Sequence, residues 1–478
     1  MKVDLDGLPI LGTILAGALA LRLYGLGTVF PLPDEYMQFY SSLHPHGLRD
    51  FVALVQDNPH HLLLDPLIAF FVGRFTGSPF WLRLPSAVEG MLAVAGLWAL
   101  GRRGGRVGLG AAAAILLALC AMHVEWSRRA DFYALAAALA VAQTLLLFRA
   151  LDEKSRWPLY GFGAAVFLLA YPHAPLLAAT HGLFIAAIRK RRDGALTAWA
   201  ACWVGALLLT LPVLKPFAVR MPPGTYGFPE GNWRHWPLLG FLSRLPAYLA
   251  LDTETIDPPG GWSKVASALF APAGLGLYLL SLARLRRSQT PGPVHFAHLA
   301  VPFGLGCVLT GDAVCRWYLT PRQTLWLQPF YLLAVADGGA HAWDYLRARL
   351  VRPRLWGLAL AAGLLGLVAA ADLQTTAALI EQSRGRDRIL TYIVGRLGPR
   401  DSLLFEGDLL EHCLLYHLDP LAFQSAKAFR VAPATAFIAG RRVALGLIEK
   451  SKDEQARPGA WAFRGTLADF KAYPPAAR

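Results

Sequence analysis

The chain has 478 residues, 55% of them apolar, 11% aromatic and only 16% charged. A soluble domain carries roughly 25% charge, so the composition excludes an ordinary cytosolic enzyme or a disordered protein, and five cysteines make no disulfide framework. The net charge of +14 is concentrated before residue 372, where basic loops of a polytopic membrane protein would meet anionic lipid, and no nucleic-acid module accompanies it.

A spanning helix needs about 20 mostly apolar residues. Runs of that kind predict eleven spans, at roughly 8–26, 84–101, 107–123, 132–149, 157–170, 174–188, 195–214, 265–283, 296–310, 317–336 and 355–371. The first run is long and lacks a cleavage signal, so it reads as a retained span. Alternate connections collect the basic residues: Arg102, Arg103 and Arg106; Arg149, Lys154 and Arg156; the run 189–192; Arg284, Arg286 and Arg287; and Arg347, Arg349, Arg352 and Arg354. All fall on one side if the N-terminus is cytoplasmic and the apolar segment 62–75, which contains Asp65, Pro66 and Arg74, lies at the interface. A true twelfth crossing there, with an inverted tail, is the alternative. Three long segments then share the outer side: 27–83, 215–264 and the tail from 372.

These readings define a transmembrane domain over 1–371 and a small extracytoplasmic α/β domain over 372–478, in which helix 388–397 follows the last span and strands are expected at 402–405 and 443–448. The predicted fold class is a polytopic α-helical membrane protein carrying that α/β tail.

Just beyond the first span, Pro31 and Pro33 stop the helix and expose Asp34 and Glu35. Adjacent carboxylates at a membrane surface can orient an acceptor, take its proton or hold a divalent cation; a solvated turn is the plain alternative. Next, Arg128, Arg129 and Asp131 lie near the outer end of the third span, where two arginines oppose the positive-inside tendency and suit an anionic ligand. They could equally pair with Glu125 and Asp131 and snorkel. His173, between two apolar helices, is expected to face a cavity. Arg316, Tyr318 and Arg322 precede the tenth span, where a guanidinium can fork onto phosphate, although Trp, Tyr and Arg also anchor at that depth. His44, His46, His60 and His61 crowd the first outer loop without the spacing of a known metal site, and no resident metal is assigned.

Several of these stretches, taken in order, resemble one family. Asp34-Glu35 is followed by Asn58-Pro59-His60-His61-Leu62, Arg83-Leu84-Pro85-Ser86 and Gly101-Arg102-Arg103. Then come Met122-His123 through Ser127, Ala130 and Tyr133-Ala134-Leu135, and later Arg316-Trp317-Tyr318-Leu319. The chain resembles the polyprenyl-phosphate-dependent GT-C glycosyltransferases, the group related to protein O-mannosyltransferases and the lipid A aminoarabinose transferase. That resemblance implies an inverting enzyme of the plasma membrane, with a polyprenyl-phosphate-sugar donor and a lipid, glycan or protein acceptor. It implies that Asp34 is the catalytic base, that Glu35 orients the acceptor, and that Arg128, Arg316, Arg322 or His60 neutralises the donor phosphate. The competing classes are a transporter or flippase for polyprenyl-linked glycans, against which stands the lack of inverted repeats or paired broken helices, and a non-catalytic assembly protein.

Overall fold

The computed structural model describes residues 7–28, 35, 38–39, 42, 47–57, 62–104, 107–188, 194–220, 262–285, 291–315, 321–350, most of 352–381, and 402–406 and 462–466. These residues are mostly helical. In chain order the helices are α1 (Leu8–Leu23), α2 (Leu48–Asp57), α3 (Leu64–Gly73), α4 (Pro79–Arg103), α5 (Val107–Ala118), α6 (Ala121–Trp126), α7 (Tyr133–Asp152), α8 (Trp157–Ala170), α9 (Ala174–Ala187), α10 (Ala195–Arg220), α11 (Trp262–Leu285), α12 (Pro293–Cys315) and α13 (Gln328–Arg347).

Most of these helices are apolar on every side rather than along one stripe, as helices surrounded by lipid or by other helices must be. Among the described residues, five helices are long and apolar enough to cross a membrane, within 79–103, 133–152, 195–215, 268–285 and 293–311, and α1, α3, α5 and α9 are apolar but shorter. On α10, Val204, Leu207, Leu208, Leu209 and Leu211 are exposed, a surface that water would not tolerate and lipid does. The protein is an integral membrane protein. Helix α3 has ten residues, about 15 Å, half the thickness of the hydrocarbon layer.

The chain divides into two compact units. The first comprises Met1–Leu26, Asn58–Asp65 and Arg83–Ala378 and holds most of the helices. Small residues let their backbones approach: a Cβ on Gly101 would lie 2.6 Å from the Gly110 Cα, so α4 and α5 meet there backbone to backbone. At Gly338 a Cβ would run into the Leu277 carbonyl, which pins α13 to α11 in the same way. Beside that contact the Ser281 hydroxyl donates to Asp337 at 2.8 Å and the His298 ring bonds Ser281 at 2.9 Å, linking α11, α12 and α13.

The second unit comprises Gly27–Asp57, Pro66–Leu82 and Leu379–Arg478. In it Phe51 of α2 packs on Phe70 of α3 with ring centroids 4.8 Å apart, and Arg74 donates to the Ser42 carbonyl at 2.9 Å. Strands β1 (Ser402–Glu406) and β2 (Ala462–Thr466) pair antiparallel with Phe405 opposite Phe463. The first strand falls where the sequence predicts one. The second was not foreseen, and the expected helix 388–397 and strand 443–448 lie outside the described residues.

Two predicted spans need correction. The run 107–123 is not one helix: α5 ends at Ala118, and the six-residue α6 starts again at Ala121. The run 317–336, predicted as the tenth span, is not the helix found there, which is α13, Gln328–Arg347. Pro321 opens a 3₁₀ segment, Pro321–Leu327, and Pro329, in the first turn of α13, suits a helix start because its missing N–H is not needed there. Arg322 therefore sits in a tight turn before the helix.

Candidate active site

The helix end that organises the site is the C-terminus of α1, whose last carbonyls have no partner within the helix and carry the negative end of its dipole. Three arginines from different places gather around it, of which Arg128 bonds a carbonyl of the last turn itself. Arg22, in the last turn of α1 and fully buried, donates through Nη1 to the carbonyls of Ala18 (3.0 Å) and Ala118 (3.3 Å). Arg128 donates through Nη1 to Leu21 O at 2.7 Å, and Arg83, from the first turns of α4, donates to Leu26 O at 2.8 Å. Gly90 makes the approach of α4 possible, since a Cβ there would collide with Ser127 and lie 2.9 Å from Arg22.

Arg128 is only 6% exposed, and its Nη2 has no hydrogen-bond partner. Among the described residues no carboxylate pairs with it. Burial, with the positive charge of Arg83 beside it, pushes its pKa down to about 10, so it remains a cation at neutral pH. Arg22 also fixes the state of His123: its Nη2 lies 2.8 Å from Nδ1 of that ring. A guanidinium only donates, so Nδ1 accepts and the ring proton sits on Nε2.

A second group surrounds Trp126. Arg129 forms an ion pair with Glu125 one turn earlier and lies over the Trp126 ring, 4.3 Å from its centroid. Arg322 approaches the same ring at 5.2 Å and the Tyr133 ring at 5.7 Å, a cation–π arrangement. The alternative reading, in which Arg129 pairs with Glu125, thus holds for Arg129, while Arg128 donates through Nη1 to a helix end. Asp131 is buried and accepts the Phe132 N–H at 2.7 Å, at the start of α7.

His173 is buried between α8 and α9, where its Nδ1 meets the Tyr171 hydroxyl at 3.1 Å, and that hydroxyl donates to Gln323 O at 3.0 Å. The pair ties the α8–α9 turn to the 3₁₀ segment that carries Arg322. Burial lowers the His173 pKa to about 4 and raises that of Tyr171 well above the ordinary phenol range, with Tyr133 and Asp131 adding to the rise.

Of the residues singled out from the sequence, Arg128, Asp131, His173 and Arg322 belong to the first unit around these helix ends, and Glu35, in the second unit, is buried. Asp34, His60, Arg316 and Tyr318 lie outside the described residues. Sequence reasoning passed over Arg22, and quoted Arg83 and His123 only within motifs. The signal for Arg22 was present: a lone arginine inside an apolar run is costly in a membrane and marks function by default. Among the described residues no group of three or more His, Cys, Asp or Glu side chains is placed to hold a metal ion.

No curated protein matches the chain significantly. The sequence model of the family described as dolichyl-phosphate-mannose-protein mannosyltransferase matches residues 60–217, the stretch that contains α3 to α9, most of α10 and the turn with Arg128. That is the group the sequence resembles. Among solved structures, ArnT from Cupriavidus metallidurans bound to undecaprenyl phosphate is similar with a TM-score of 0.51 at 14% identity, covering 81% of each chain. The Archaeoglobus fulgidus oligosaccharyltransferase in complex with zinc and sulfate gives 0.49 at 15% identity over 77% of this chain. The chain spans about half the length of that enzyme, 53%. The fold is similar to that of the GT-C membrane enzymes, of which ArnT is one.

Proposed function

We propose that the protein is a membrane glycosyltransferase that moves one sugar from a polyprenyl-phosphate donor to an acceptor on the outer face of the membrane. The observation that carries this reading is Arg128, a buried cation beside Arg83 with an unused donor and, among the described residues, no paired carboxylate. Gathering like charges out of water is unfavourable unless an anion completes the site. A phosphate ester of a lipid is an anion that a membrane protein can recruit from the bilayer.

In the proposed reaction Asp34 takes the proton from the acceptor hydroxyl or amine as that atom attacks the anomeric carbon. The bond from that carbon to the phosphate oxygen breaks on the opposite side, the electron pair stays on the phosphate, and the configuration inverts. Glu35 orients the acceptor. Arg128 stabilises the charge that grows on the leaving phosphate, with Arg316, Tyr318, Arg322 and His60 as further donors to the headgroup, the kind of electrostatic assistance this transfer most needs. His173 and Asp131 shape the cavity. A divalent cation at the acidic pair would assist by polarising the phosphate. The reading includes a cytoplasmic N-terminus, eleven spans over 1–371 and an extracytoplasmic domain over 372–478.

The test is purified protein in lipid bilayers with a labelled polyprenyl-phosphate sugar. Acceptor-dependent release of polyprenyl phosphate is expected. Intact donor appearing on the opposite leaflet with no sugar released would replace the enzyme by a flippase.

A further inference from the structure

Resting on the phosphate-binding reading above, we infer that His123 is a second phosphate-binding residue, on the same segment as Arg128, and that Arg22 is the positioning residue that aims it. His123 is fully buried, and its Nε2 has no hydrogen-bond partner. The bond from Arg22 forces the proton onto that nitrogen. A buried N–H without an acceptor is costly, and here it is created by the fold itself, because the alternative tautomer would set an N–H against a guanidinium. Five residues later, Arg128 Nη2 is a second buried donor without a partner. The stretch between them is tied back on itself, with Ser127 donating to the His123 carbonyl, and both ends are anchored to α1, through Arg22 and through Leu21 O. Two unused donors, one neutral and one charged, are thus held by the same short segment. The ligand they suit is an anion with several acceptor oxygens, a phosphate, either free or as a lipid headgroup.

Two substitutions separate binding from packing. In His123→Asn the amide oxygen can take the place of Nδ1 and keep the bond from Arg22, but no donor reaches the Nε2 position. In His123→Gln the amide nitrogen reaches that position. Affinity for undecaprenyl phosphate, measured on the purified full-length protein with undecaprenol and inorganic phosphate as the other two arms, is expected to fall about tenfold in His123→Asn and to stay within about threefold in His123→Gln. Undecaprenol binding should be unchanged in both. The same loss for inorganic phosphate would assign the donor to the anion itself; a loss confined to the lipid would assign it to the headgroup, and either supports the inference. Wild-type affinity in His123→Asn with weakened binding in His123→Gln would overturn it, leaving His123 as a packing partner of Arg22. Arg128→Ala distinguishes the two levels: if it weakens binding while His123→Asn does not, only the inference fails, and if neither changes it, the phosphate-binding reading fails as well.

Discussion

Two buried polar clusters in the helical unit use similar residues to opposite ends. In the middle of the bundle, the Trp203 indole donates to the Tyr160 hydroxyl at 2.8 Å, which donates to His181 Nδ1 at 2.8 Å. The His181 Nε2–H then faces Thr144 Oγ1 at 3.2 Å, and Thr144 donates to Ala140 O at 2.8 Å. Four side chains, one each from α7, α8, α9 and α10, form a neutral chain in which each proton has a place. At the end of α1 a histidine, His123, is bonded instead by Arg22, with Arg83 and Arg128 nearby, and His123 Nε2 and Arg128 Nη2 are left without an acceptor among the described residues. The first cluster holds helices together, as polar groups inside a membrane protein do. The second answers the carbonyls around the end of α1 and still leaves His123 Nε2 and Arg128 Nη2 without an acceptor among the described residues.

The largest effect expected concerns turnover. Asp34→Asn keeps size and removes the proton acceptor, so sugar transfer by folded protein should fall by about 10² to 10⁴ while donor affinity holds. Near wild-type turnover would move the base to another acid. Arg128→Ala should weaken donor binding by about ten- to a hundredfold, and Arg128→Lys by less, because it keeps the charge and loses the fork. Titration of labelled donor reads both, and unchanged affinity would remove the contrast between the two clusters.

Breaking the mid-bundle chain should do the reverse. Replacing His181 by Leu leaves Tyr160 without its acceptor and should lower stability by about 1–3 kcal/mol, with donor affinity of the folded fraction preserved. Thermal unfolding in detergent beside a binding titration separates these outcomes, and a loss of affinity without loss of stability would mean that this cluster also serves the ligand.

The smallest effect is a pH dependence. His173 has a folded pKa of about 4, below the value of about 6.5 expected unfolded, so the unfolded chain binds more protons as pH falls through that window. Stability contributed by the neutral buried ring is complete above about pH 6.5 and is lost progressively toward pH 4. Between pH 7 and pH 5 the wild type should lose on the order of 2 kcal/mol more than His173→Gln, which keeps a donor for Tyr171 without titrating. Equal losses would show that His173 is not held neutral by the fold.

Much of the architecture was legible because the membrane demands long apolar runs: α1, α4 and α7 to α12 fall close to predicted spans. The failures have local causes. Hydropathy does not register the break at Leu119–Cys120, since the residues on both sides are apolar. It also placed α13 too early, because Trp317, Leu319 and Leu325 read as a span while Pro321 and Pro329 act on backbone geometry instead. At the site, Arg128 was readable as an arginine on the wrong side of a topology pattern. Arg22 was readable as a lone charge in an apolar run, but its partner was not, because its bond to His123 spans 101 positions of sequence, which no local pattern encodes.

The most direct test of the phosphate-binding pocket compares two ligands with the same tail. Equilibrium binding of polyprenyl phosphate and of the corresponding polyprenol to the purified protein isolates the anion, since the hydrocarbon contribution cancels. Binding of the phosphate at least about a hundredfold tighter, with most of that margin lost in Arg128→Ala, is the predicted result. Equal affinity for the alcohol and the phosphate would contradict it.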